Sequence, residues 1–329
     1  MNISYILPIK WDGDQPVDEL THYLTYLSPH VDLIIVDGSL PANFERHRGL
    51  WGQLGNHLTP DAHFRFLNGK VNGVLTGLLV AAHPHVVIAD DDVRYEPAQL
   101  RNIDNLLTSH QLVSPQNYFH PCPWHAKWDT SRSLLNVAFA HDYPGTLAVQ
   151  RDFIRALGGY DGDVLFENLE LIRTVKAGGG KVLHRPDLFV RRLPPSARHF
   201  WSQRIRQAYD DYAQPARLAF FIVLVPLLVA IAIYARWLIP VLVIMAVVIA
   251  EIGRRKYGGH RVIAVSCSFF APAWLMERGI CTWLALFTKL TMGGVRYSRA
   301  TIRKAANPIG AIRRKLQTNQ YHRAVPEPR

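Results

Sequence analysis

Three carboxylates stand in a row at Asp90, Asp91 and Asp92, directly after the apolar run "HVVIA" of residues 85–89. Adjacent anions repel one another, and a divalent cation seated among them keeps them ionised. Mg2+ and Mn2+ prefer oxygen ligands and are often held by one or two carboxylates together with substrate phosphates. Asp90 and Asp92 would lie on one side if the strand continued, which makes them a candidate pair of ligands. A solvated acidic turn is the plainer reading, and a bare D-x-D does not separate the two. Asp37 likewise closes an apolar run, "LIIVD", ahead of Gly38-Ser39. A carboxylate there can accept hydrogen bonds from a base or a ribose, or simply close an Asx-type turn. In "NGKVNG" (68–73), Lys70 offers a partner for phosphate or carboxylate and Asn72 an amide on a helix face. A solvated charge is the ordinary alternative for the lysine.

These residues need a frame. "ISYILPI", "VDLIIVDG", "HFRFLN" and "HVVIADDD" are short apolar runs that read as strands, and helix patterns lie between them over roughly 16–28, 70–83 and 97–109. Alternating strands and helices predict an α/β domain with a mainly parallel sheet covered on both faces. Such sheets bind ligands outside the carboxyl ends of their strands. Asp37 and Asp90–Asp92 fall at those ends.

The net charge of +11 is unevenly spread. Residues 251–329 hold 15 Lys and Arg against 3 Asp and Glu, and residues 1–250 hold 22 against 23. A nucleic-acid reader usually carries its basicity on the folded domain, so that class is disfavoured. Cys122, Cys267 and Cys281 are widely separated and form neither a disulfide framework nor a zinc spacing, which predicts a reducing compartment. The stretch 118–145 carries His120, Cys122, His125, His141, Trp124 and Trp128, in a spacing that matches no metal site. Structural or acceptor-facing roles are expected there. "MNISYILPIK" does not read as a signal peptide.

From Leu218 to Ala250 the text contains one charge, Arg236. A bilayer span needs about 20 apolar residues. Leu218–Ala235 is long enough, whereas Leu238–Ile252 is shorter and contains Glu251. The expectation is a transmembrane hairpin over 216–253, then a third apolar region over 254–295 that is interfacial or spans, broken at Pro272. A basic tail over 296–329, disordered near its end, completes the chain. The basic flanks favour the cytoplasmic side and anionic lipid. Residues 1–215 are therefore expected to face the cytoplasm from a multi-pass inner-membrane protein.

The run "ILPIK…LIIVDGS…NGKVNG…IADDDVRYEP…GTLAVQRDFIRALGGYDGDVLFENLEL…QRIRQ" resembles the GT-A glycosyltransferases of family 2 and the related ceramide glucosyltransferase family. The order and spacing match over roughly residues 3–210, and a membrane hairpin after that domain is a recurrent layout in these families. The resemblance implies a GT-A, Rossmann-like domain with Mg2+ or Mn2+ as cofactor and a nucleotide-sugar donor. It implies Asp37 at the base or ribose, Asp92 as the favoured metal ligand, and Asp90 shared between the metal and the donor. Asp91 is counted with the donor-binding residues, and Lys70 matches the lysine of a G-K-x-x-A-x-N-like segment. "GTLAVQR" (145–151) and "GGYD" (158–161) match the wall of the donor sugar. Gln203 and Arg206 match two positions of a Q-x-x-R-W signature that holds the diphosphate and the acceptor end.

Two positions depart from the pattern. The acidic pair of E-D-x-x-L appears as Glu167-Asn168-Leu169-Glu170-Leu171, and Asn168 cannot take a proton. Glu167 and Glu170 share a helix face, so either is a candidate catalytic base, with Glu167 preferred by position. Gln207 replaces the tryptophan of Q-x-x-R-W, which argues against a processive polymerase. The implied activity is inverting, metal-dependent transfer of a sugar to a membrane-associated acceptor hydroxyl, with glycolipid biosynthesis as its setting. The alternatives are a membrane-anchored nucleotide-sugar-binding protein without turnover, suggested by Asn168, and a metal-dependent nucleotidyltransferase.

Overall fold

The structure is a computed structural model that describes residues 1–13, 15–297 and 300–318. Its elements begin with β1 (Ile3–Ile9), α1 (Asp18–Leu27), β2 (Asp32–Asp37), α2 (Pro41–Trp51), β3 (Asn56–Leu58) and α3 (Gly69–Val80). They continue with β4 (His85–Ala89), β5 (Val93–Arg94), α4 (Pro97–Leu107), β6 (Leu112–Phe119), α5 (Trp124–Phe139), β7 (Thr146–Gln150), α6 (Arg151–Ala156) and α7 (Glu167–Ala177). After β8 (Val182–Arg192) come α8 (Ala197–Ser202), α9 (Arg204–Tyr209), α10 (Pro215–Tyr234), α11 (Leu238–Arg255) and α12 (Ala271–Met292). The short strands β9 (Val295–Tyr297) and β10 (Ala300–Ile302) pair antiparallel before α13 (Ile309–Gln317).

The main sheet runs in the order β3-β2-β1-β4-β7-β6-β8-β5. β1 pairs parallel with β2 and β4, β2 pairs parallel with β3, and β7 joins β4 antiparallel. Ile3, Ile6, Leu7, Ile34, Ile35, Val86 and Val87 are buried. Strands covered on both faces carry near-continuous apolar runs of this kind rather than an alternation. The contacts divide the chain into two compact units. One contains residues 1–115, 144–185 and 307–318, and the other contains 116–143 and 186–306.

In the first unit α3 presses hard on β1. A Cβ at Gly73 would lie 2.8 Å from Pro8 Cβ, and one at Gly77 would lie 2.7 Å from Ile6 Cγ2. The two glycines are one helical turn apart on one face, and their bare backbone lets the helix approach. That approach fixes Lys70, in the first turn.

"HFRFLN" is not a strand, contrary to the sequence expectation. Its backbone is held by side chains instead. Asp61 accepts from the His63 N–H (2.8 Å), and Asn72 accepts from the Phe66 N–H (3.0 Å) while donating to the Phe66 carbonyl (2.9 Å). Asp163 accepts from the Leu67 N–H (2.9 Å), and the Gly162 carbonyl accepts from the Asn68 N–H (2.9 Å). The basic tail contains a regular element. Ile309–Gln317 is a helix packed on α7, with Ile312 fully buried. The disorder expected at the end of the chain concerns residues 319–329, which lie outside the described residues.

The second unit buries ion pairs beside an apolar core that includes Leu134, Phe221, Ala250 and Trp274, and it also carries apolar side chains on its outside. Within it Arg278 makes a two-point ion pair with Asp211 (2.8 and 3.0 Å), Arg204 meets Asp129 (3.2 Å), and Arg132 meets Asp142 (2.7 Å). Its outer faces carry Val223, Leu227 and Ile233 on α10 and Ile244 and Val248 on α11. On α12 the exposed residues Met276, Ile280, Trp283, Phe287 and Leu290 follow the helical repeat. Among the described residues α10 alone is long and apolar enough to cross a membrane, with an 18-residue stretch of mean hydropathy 2.7 that is 6% buried. The expected multi-pass arrangement is therefore not supported. α11 ends in a charged turn in which Glu251 holds Arg254 and Arg255 (both 2.7 Å), and α12 buries Arg278. Pro272 lies in the first turn of α12, where the missing N–H costs nothing, and does not break it.

Candidate functional site

The carboxyl ends of β1, β2 and β4 meet along one edge. Ile9 pairs with Asp37 across β1 and β2, and Ile6 pairs with Ile88 across β1 and β4. The acidic run leaves β4 in a tight turn, in which the Asp90 N–H donates to the Gly145 carbonyl and the Val93 N–H donates to the Asp90 carbonyl (both 3.1 Å). Trp11, just beyond β1, donates its indole N–H to Asp91 Oδ2 at 2.5 Å. Sequence reasoning missed Trp11. Its signal was its place after an apolar strand, at the edge that also carries Asp37 and Asp90.

Lys70 ties this edge together. Its Nζ lies 2.5 Å from Asp90 Oδ1 and 2.8 Å from Glu167 Oε1. Asn68 caps α3 by accepting the Lys70 N–H (3.1 Å), which aims the first turn. Glu167 opens α7, where a carboxylate is favoured by the helix dipole. Burial opposes the lysine's charge, but the carboxylates of Asp90 and Glu167 outweigh it and hold its pKa well above the ordinary value. Lys70 and Glu167 are each 16% exposed and Asp90 24%, so a ligand can reach all three.

Asp37 is placed differently. It is 0% exposed, and it accepts from His47 Nδ1–H (2.7 Å), from His57 Nε2–H (3.3 Å) and from the Ser39 N–H (2.9 Å). His47 stacks on Trp51 and His57 on Phe44. The two imidazoles cover the carboxylate, and neither was anticipated from sequence. Burial alone would push its pKa up; hydrogen bonds from His57, Ser39 and His47 prevail and hold it at about 2. A folded-state pKa below the unfolded value of ~4 means that Asp37 stabilises the fold above pH ~4 and that this contribution fades as pH falls toward 2. Acid titration of unfolding free energy is expected to show a loss on the order of 2 kcal/mol in that window. Asp37→Asn should flatten it, and an unchanged wild-type slope in the variant would remove Asp37 as its source.

Glu170 does not join Glu167. It is 0% exposed, with Oε2 accepting the Asn307 N–H (2.7 Å) and Oε1 accepting Asn307 Nδ2–H (2.8 Å). The shared helix face thus splits into two roles, and of the two candidate bases only Glu167 opens toward Lys70. Asn168 donates its amide to the Pro144 carbonyl (2.9 Å), a structural tie ahead of β7. Gln203 and Arg206 belong to the second unit. There Gln203 is the N-cap residue of α9, and the Arg206 guanidinium lies 5.3 Å from the Tyr297 ring centre.

A mannosyltransferase from Pyrobaculum calidifontis, solved in complex with GDP-Man and Mn2+, is similar to this chain over 86% of this chain and 87% of that one, with 18% identity and a TM-score of 0.51. The chain has the GT-A fold. A glucosyl-3-phosphoglycerate synthase from Mycobacterium tuberculosis (18% identity, 60% and 74% covered, TM-score 0.43) and a mannosyl-3-phosphoglycerate synthase from Rubrobacter xylanophilus (14%, 61% and 70%, 0.41) are more distant. No family model and no curated protein matches the sequence.

On this GT-A edge the donor set is chemically suited to a hard cation. Asp90 and Asp92 offer carboxylate oxygens, and Asp90 already binds an ammonium. Among the described residues no three His, Cys, Asp or Glu gather into a complete ligand cage. A cation here would therefore complete its shell with oxygens from a bound phosphate, which is how Mg2+ and Mn2+ are commonly held.

Proposed function

We propose that the first unit binds a nucleoside-diphosphate sugar and transfers its sugar, with inversion, to a hydroxyl on a membrane-associated, lipid acceptor. The bridge from Lys70 to Asp90 and Glu167 is the observation that carries this reading. An ammonium held charged at the carboxyl edge of a parallel sheet is a ready partner for a diphosphate. An approaching diphosphate competes with both carboxylates for Lys70. As Lys70 turns to phosphate, Glu167 loses its ion pair and becomes free to accept the proton of the acceptor hydroxyl, the general-base role. Mg2+ or Mn2+ on Asp90 and Asp92 would supply neutralisation of the leaving diphosphate. Trp11 fixes Asp91, and His47 and His57 fix Asp37, so the donor meets a preset edge. Gln203 and Arg206 are proposed contacts for the diphosphate and acceptor end.

The second unit supports the lipid side of the proposal. Apolar side chains line the outer faces of α10, α11 and α12, and exposed apolar surface of this extent marks a membrane or partner contact. α10 is proposed to enter the bilayer from its cytoplasmic face. Purified protein, Mn2+ and a panel of nucleotide sugars are expected to release nucleoside diphosphate when a detergent-solubilised lipid with a free hydroxyl is added. Preference for soluble sugar acceptors would remove the lipid. Release of pyrophosphate would make the protein a nucleotidyltransferase, and donor binding without turnover would make it a binding protein.

A further inference from the structure

Lys70 and Glu167 stand on the first turns of two helices, α3 and α7, and both turns lead back to Asn307. Asn307 is buried, and its N–H, its carbonyl and its side-chain Nδ2 are all engaged. Its N–H and Nδ2–H hold the two oxygens of Glu170 (2.7 and 2.8 Å), one turn along α7 from Glu167. Its carbonyl accepts from Arg173 Nη1 (2.9 Å), a further turn along the same helix. Its Nδ2 also lies 3.0 Å from Asp161 Oδ2, which accepts from Lys315 Nζ of α13 at 2.9 Å.

Asp161 carries the second route. Its Oδ1 accepts the Asp163 N–H (2.9 Å), Asp163 in turn accepts the Leu67 N–H (2.9 Å), and the Gly162 carbonyl accepts the Asn68 N–H (2.9 Å). Asn68 is the cap of α3 and holds the Lys70 N–H. One side chain thus touches the ends of two hydrogen-bonded chains, one reaching Glu167 through α7 and the other reaching Lys70 through its cap. The arrangement holds two buried carboxylates against one amide. Burial pushes the Glu170 pKa up despite the Asn307 bonds, and the charge of Asp161 adds to that rise.

We propose that Asn307 is a positioning residue, which sets the first turns of α3 and α7 in register so that Lys70 and Glu167 meet. This rests on the donor-site reading of that pair. Segment 307–317 is then a strap whose effect is felt at the site, although Asn307 itself touches no substrate.

The test has two readouts. Hydrogen exchange of the full-length protein needs no activity: in Asn307→Ala, amides of 68–72 and 167–171 are expected to exchange at least ~10-fold faster, while those of β1 and β2 keep the wild-type rate. Turnover, where present, should fall ~10- to 100-fold in kcat with donor KM within about threefold. Asn307→Asp gives a second, isosteric probe. Its carboxylate repels Glu170 and Asp161 when ionised, but its protonated form donates a hydrogen bond again, so the kcat deficit against wild type should shrink as pH is lowered. Exchange that is unchanged at both turns, exchange that rises uniformly through the unit, or an Asn307→Asp deficit independent of pH overturns the proposal. A wild-type protein that neither binds nor turns over a nucleotide sugar sinks the donor-site reading instead, and exchange still decides whether Asn307 couples the two helices.

Discussion

Glu167→Gln is expected to lower kcat by 10²- to 10⁴-fold, the usual worth of a positioned general base, with donor affinity nearly unchanged. The glutamine cannot take the acceptor's proton, yet its Oε1 can still accept from Lys70 Nζ, which lies 2.8 Å from that position. Lys70 therefore stays oriented for phosphate. Glu170→Gln is expected to behave in the opposite sense. Both Glu170 oxygens accept from Asn307, so an amide N–H at either position faces a donor. The cost is one buried unsatisfied group, about 1–3 kcal/mol of stability. Thermal unfolding and steady-state kinetics on the two variants separate the roles. Intact rate in Glu167→Gln, with a lost rate and a wild-type melting temperature in Glu170→Gln, would exchange the assignments.

Lys70→Met should cost 10²- to 10³-fold in kcat/KM, comparable with removing one preorganised donor to a developing charge. Methionine keeps the length of the side chain and removes the ammonium, so packing of α3 against β1 is retained. Without the ammonium, the carboxylates of Asp90 and Glu167 face each other with less compensation. Because Asp90 and Glu167 hold the Lys70 pKa above its ordinary value, no alkaline limb from this group should appear in the wild-type rate profile below pH ~10. Kinetics over pH 5–10 check both statements. A Lys70→Met variant within threefold of wild type would remove the lysine from the donor site.

Much of the sheet was legible because β1, β2 and β4 are buried on both faces and therefore read as unbroken apolar runs. The rule that ligands gather at carboxyl ends then pointed to the edge that carries Asp37 and Asp90. Long-range contacts were not legible. His47 and His57 reach Asp37 from α2 and β3, and neither residue carries a periodic signal. Asn307 lies 137 residues from Glu170, and no local pattern links them. The strand reading of "HFRFLN" failed because Phe64 and Phe66 alternate like a strand, while the backbone bonds that decide the matter come from Asn72 and Asp163. The helix in the basic tail had a signal, Ile312 and Leu316 four residues apart, which the run of positive charges around them obscured. Glu167 and Glu170 could not be told apart by spacing, because only their partners differ.

The central claim is that the carboxyl edge with Asp90, Asp92 and Lys70 seats a cation and a diphosphate together. Calorimetric titration of nucleotide sugars into the purified protein, with Mn2+ or with chelator, tests it most directly on wild type, Asp90→Asn and Asp92→Asn. The account predicts donor binding in wild type with Mn2+, weakened at least ~10-fold by chelator and by either substitution. Donor affinity that is the same with chelator, and the same in both variants, would contradict it.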